Sequence, residues 1–118
     1  MRTFARIVVA VAVVSAVAAP QAASAAVVVR GTTGTSGFVW KPKRIDIAKG
    51  VVVRWKAVAG SHTVVAYGGN WSFSRNLPLG STTSRTFNRA GTFRYVCSIH
   101  GTVSGGTCSG MCGRVVVG

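Results

Sequence analysis

Acidic residues are almost missing from this 118-residue chain, which has no glutamate and a single aspartate, Asp46, against 14 Lys and Arg. A catalytic pair of carboxylates is therefore excluded. Histidine is nearly as scarce, with only His62 and His100, and cysteine is limited to Cys97, Cys108 and Cys112. No stretch keeps a helical period, no segment repeats, and there is no low-complexity tail. The one long apolar run, residues 7–19, falls short of the roughly 20 residues needed to span a bilayer. Nothing in this inventory signals hydrolysis or group transfer, and the chain is expected not to be an enzyme.

What is present begins with an export signal. Arg2 and Arg6 form a short basic region, the apolar run follows, Pro20 breaks it, and Ala23-Ser24-Ala25 offers the small-x-small pattern of a signal peptidase site. Residues 1–25 are read as a cleaved signal peptide and residues 26–118 as one small domain, with no transmembrane span after cleavage. A secreted, periplasmic or outer cell-envelope location follows. Removal of 1–25 leaves 12 Lys and Arg beside Asp46, a net charge of about +11. Such a balance speeds encounter with acidic surfaces, whether a protein, anionic lipid or wall polymer, and an acidic redox protein is the partner expected. The basic residues are scattered singly among apolar ones in an exported chain, so nucleic acid is not expected as a partner. A monomer is expected.

The mature region alternates in short β-branched runs. Val27-Val28-Val29 reads as a first strand ending at Gly31, Ile45 and Ile47 share one face, and Val51, Val53 and Trp55 share another. Further strands are expected from His62 to Ala66 and over 82–87, 92–97 and 113–117. An irregular connection over 68–80 carries Trp71, Phe73 and Pro78. Trp40, Trp55, Phe87, Phe93 and Tyr95 fall at inward positions. Seven or eight short strands in so few residues predict an all-β fold, an antiparallel Greek-key β-sandwich or barrel.

Cysteine count and position point to a site. An exported chain forms disulfides in pairs, so an odd cysteine must be reactive, bonded to another chain, or held by a metal. Phe93, Tyr95 and Cys97 share one strand face, so the thiol points inward. His100 follows three residues later, His62 opens another strand, and Met111 offers a thioether. Two imidazoles, a thiolate and a weak axial thioether are the donors of an electron-transfer copper site, with every position filled by protein and none left open for substrate.

Around these residues the sequence resembles the cupredoxins of the plastocyanin, pseudoazurin and amicyanin kind. The pattern runs through Trp40-x-Pro42, Ile45-x-Ile47, Gly50, Val53-x-Trp55, His62-Thr63-Val64, Phe87, Gly91-Thr92-Phe93-x-Tyr95-x-Cys97-Ser98-x-His100 and Gly110-Met111-x-Gly113-x-Val115-x-Val117. The resemblance implies an eight-stranded Greek-key sandwich holding one type 1 copper and shuttling single electrons between larger redox proteins. It implies His62, Cys97 and His100 as equatorial ligands, Met111 as the axial one, and the edge of His100 as the electron port. The chain departs from the pattern in its ten residues between His100 and Met111, where the family has two to four. Thr63 and Gly101 also stand where the family places asparagine or proline, which leaves the hydrogen bonding of the Cys97 sulfur open. Cys108 and Cys112 are read as a disulfide that fixes Met111. Two other readings use the same residues: copper storage or delivery without electron shuttling, and a structural zinc site of the Cys3His type from Cys97, His100, Cys108 and Cys112.

Overall fold

A computed structural model describes residues 9–12 and 25–118; the expected export segment lies almost wholly outside the described residues. Nine strands follow in chain order: β1 (Val27–Gly34), β2 (Gly37–Lys41), β3 (Arg44–Ile47), β4 (Val51–Ala57), β5 (His62–Tyr67), β6 (Ser74–Leu77), β7 (Thr82–Phe87), β8 (Gly91–Ser104) and β9 (Thr107–Val117). They form two sheets, β2-β1-β4-β7 and β3-β9-β8-β5-β6, and no helix occurs among the described residues. The inward positions of each strand meet between the sheets as one apolar core containing Val29, Val53, Val64, Val115 and all five aromatics assigned inward from sequence. Alternation of side-chain direction along a strand is enough to sort these residues.

The sheets are mixed where an antiparallel sandwich was expected: β1 runs parallel to β4 and β3 parallel to β9. Pro42 separates β2 from β3. It has no amide to give to a ladder, so the extended run from Gly37 to Ile47 breaks there. β2 stays antiparallel to β1, while β3 joins the other sheet beside β9. When β4 then reverses and returns to the first sheet, it runs the same way as β1.

The segment expected to be irregular and the long segment after His100 are both ordered. Within 68–80 the chain forms β6 against β5, and Trp71, Phe73 and Leu77 are buried under it. The ten residues after His100 extend β8 and β9 as a ribbon, paired from Gly101↔Gly110 to Ser104↔Thr107. Gly105 and Gly106, with φ of 57° and 77°, close it by a two-residue turn whose positive φ values match the twist of the ribbon. The disulfide between Cys108 and Cys112, with Cα atoms 6.2 Å apart, links the ribbon part of β9 to the part beyond Met111.

The register shifts where the ribbon meets the sheet. Val96 stands opposite Cys112 and Gly101 opposite Gly110, so residues 97–100 face Met111 alone. An excess of residues on one strand bends it and redirects side chains. Below the bulge the packing is tight: Tyr95 lies opposite Gly113, and a Cβ at 113 would fall against the tyrosine ring. Replacing Gly113 with Ala is expected to overfill the core and lower stability by about 1–3 kcal/mol. Urea unfolding should show it as a lower midpoint with an unchanged slope.

Candidate metal centre

The bulge brings together the residues that the sequence singled out. Cys97 ends the inward series Phe93-Tyr95-Cys97 on β8 and is fully buried. His62 opens β5, the neighbour of β8, and is 2% exposed. His100 closes the bulge and is half-buried. The two Nδ1 atoms lie 3.2 Å apart, and Cys97 Sγ lies 3.5 Å from Nδ1 of His100 and 3.8 Å from Nδ1 of His62. An ion bound in a trigonal plane at about 2.0 Å from nitrogen and 2.3 Å from sulfur spaces its donors by about 3.5–3.7 Å. The three atoms fit one ion.

Two of the three donors, His62 and Cys97, are oriented by a partner behind them. Nε2–H of His62 donates to the carbonyl of Ala59 at 2.6 Å, which leaves Nδ1 with its lone pair facing Cys97 and His100. The Ala59 carbonyl is held in turn, because the amides of Val58 and Ala59 both donate to Gly31. Gly31 also makes room for the ring: a Cβ there would come within 2.7 Å of the His62 imidazole. Burial, reinforced by the neighbouring His100, holds His62 below the usual imidazole range against the opposing pull of Ala59. His62 is thus neutral at pH 7, the form that binds a metal.

The sulfur is supported as well. The amide of Thr63 donates to Cys97 Sγ at 3.4 Å. Its hydroxyl accepts from the Ser98 amide at 2.8 Å and shares a 2.7 Å bond with the Ser98 hydroxyl. Thr63 therefore does in this chain what the departure from the family pattern left open, tying the bulge to β5 at the thiol and at the residue that follows it.

Met111 is fully buried and faces the bulge by register. Phe38, which the sequence reading did not assign, packs on both imidazoles, with ring centroids 5.1 Å from His62 and 4.5 Å from His100. Trp40 approaches His62 at 5.7 Å. The signal that could have identified Phe38 is its spacing: two residues before an inward Trp40, it belongs to the same strand face. The Cys3His zinc reading is overturned, because the thiols of Cys108 and Cys112 are joined to each other. Cys97 alone is free.

Among the described residues no helix is long and apolar enough to cross a membrane. Neither a family model nor a curated protein sequence matches the chain. Solved structures do match its fold. A purple cupredoxin from Nitrosopumilus maritimus superposes with a TM-score of 0.62 at 20% identity over 78% of this chain and 99% of its own. An oxidised amicyanin variant gives 0.62 at 22% identity over 83% and 87%. A copper-containing nitrite reductase from Thermus scotoductus SA-01 gives 0.63 at 23% identity over 80% of this chain, which spans only 22% of that enzyme. The chain has the cupredoxin fold.

Proposed function

We propose that this chain is an exported carrier of single electrons, holding one type 1 copper among Nδ1 of His62, Sγ of Cys97, Nδ1 of His100 and the thioether of Met111. The observation that carries this reading is the convergence of two imidazole nitrogens and one thiol within 4.8 Å of each other at the end of a β-sandwich. That donor set, with a weak axial sulfur, suits copper and its one-electron Cu(II)/Cu(I) couple.

The residues of the chain supply the rest. Burial of Cys97 and His62 keeps water from the donors, and the Ala59 and Thr63 contacts hold ring and sulfur in place irrespective of charge state. Rigid donors lower the rearrangement needed when an electron arrives or leaves. The Thr63 amide also places a dipole against the sulfur, where it favours negative charge. His100 is the ligand nearest the outside, flanked by Phe38 and by the 59% exposed Ile99. This apolar rim is the proposed electron port. With the Met111 thioether as a fourth ligand the site would have no open position for substrate, which favours a carrier over an enzyme or a copper-delivery protein.

Similarity to amicyanin and to a purple cupredoxin supports this reading of the fold. Residues 1–25 address the chain to an exported location. The partner is proposed to be an acidic redox protein, given about +11 on the mature domain.

Three outcomes are expected. Apo-protein titrated with Cu(II) should take up one equivalent and develop an intense visible sulfur-to-copper band that C97S lacks; a colourless protein retaining only zinc would overturn the copper reading. Met111→Leu should keep the band while shifting the reduction potential measured by voltammetry, since the axial donor tunes it. Copper loading should raise the thermal midpoint, because a metal held only by the folded state stabilises it.

A further inference from the structure

The outer face of the five-stranded sheet carries a row of cations that the copper site does not use. Arg44 on β3 is paired in register with Arg114 on β9. Arg114 stands opposite Arg94 on β8, and Arg94 opposite Tyr67 on β5. Paired residues on adjacent strands point to the same side, so three guanidinium groups and a phenol form one line across four strands, spaced about 4.8 Å per strand at the backbone. Lys43 lies beside the line, and the ribbon with its Cys108–Cys112 disulfide forms one wall of a groove of about 410 Å³ over it.

This arrangement is unfavourable for the chain alone. Like charges directly opposite each other in a ladder are destabilising, and the sequence contains one acid to neutralise them. Asp46 takes Arg44 in a two-pronged grip, Nε to Oδ2 at 3.1 Å and Nη2 to Oδ1 at 2.9 Å. That fork is the geometry by which arginine recognises a carboxylate. Arg94 and Arg114 form no ion pair among the described residues. A local rule broken without internal compensation is expected where a surface serves a partner.

We infer that this row is a docking site for a carboxylate-rich segment of a partner protein, with Arg94 and Arg114 gripping side-chain carboxylates as Arg44 grips Asp46, and Tyr67 and the ribbon bounding the groove. The site is separate from the His100 rim. Arg94 precedes Cys97 by three residues on one strand, about 10 Å, so a partner seated here lies close to the sulfur side of the metal centre. The inference rests on the carrier reading only in taking that partner to be a redox protein.

Hexaglutamate is the probe, titrated into the full-length mature protein at low salt and followed by amide chemical shifts. Shifts are expected at residues 43–46, 67, 94 and 114, with binding weakened about tenfold or more in R94Q/R114Q. R54Q/K56Q removes two charges from the outer face of the other sheet, one of them from the row Lys41, Arg30 and Lys56, which holds a single arginine fork, and should leave binding within about twofold. R94K/R114K, which keeps charge and loses the fork, should fall between. Equal losses in R94Q/R114Q and R54Q/K56Q would overturn the site, leaving general charge attraction. Tighter binding of tripolyphosphate than of hexaglutamate, at the same residues, would overturn the carboxylate assignment. Neither result depends on copper, so failure here is distinct from failure of the metal reading.

Discussion

Four residues of β8 facing one residue of β9 is the constraint on which the rest of this structure depends. A regular ladder would send Cys97 inward and the next residues alternately out and in, with no two donors at one point. The excess residues between Val96 and Gly101 fold the strand back on itself, so that His100 returns to the level of Cys97. β5 then needs only to begin at the right place, and His62 is its first residue. The centre is thus built by a fault in one pairing and the start of its neighbour, with β2 adding Phe38 and Trp40 as an aromatic wall.

Such a fault must be held, or the unpaired backbone would drift. Thr63 holds it from the β5 side through Ser98 and the sulfur. From the far side the ribbon holds it, since regular pairing resumes at Gly101 and the Cys108–Cys112 disulfide fixes β9 just beyond Met111. The long segment after His100, which departs most from the family pattern, therefore braces the bulge from beyond instead of loosening it. In a domain this small the core has little stability to spare, and covalent and metal-derived constraints carry more weight than they would in a larger one.

Charge is handled differently from packing. A chain with one acid cannot neutralise its cations internally, so most remain at the surface as unpaired groups whose mutual repulsion costs stability. Arg54 on β4 and Arg85 on β7 stand opposite uncharged residues, whereas Lys41, Arg30 and Lys56 are aligned across β2, β1 and β4. Across β3, β9 and β8 the aligned cations are all arginines, Arg44, Arg114 and Arg94. The distinction matters because a single arginine in water attracts anions weakly, whereas a line of forks on a rigid sheet presents a pattern that a complementary surface can match.

Much of this was written in the order of residues. Alternation assigned Phe93, Tyr95 and Cys97 to one face, and placed Trp40, Trp55 and Phe87 in the core, because a strand has only two sides. Scarcity made the donors stand out: with two histidines and an odd cysteine, His62, Cys97 and His100 had few other uses. Composition and motif therefore determined the sandwich, the donor types and the excess of positive charge. Pairing partners lay beyond them, since hydrogen bonds between strands distant in sequence leave no periodic trace in either. Only the tertiary structure decided that β1 and β4 run parallel, that the segment after His100 pairs as a ribbon, and that Arg44, Arg114 and Arg94 fall in one row. It alone closed the distances among three donor atoms, because register is set by the packing of whole strands against a shared core.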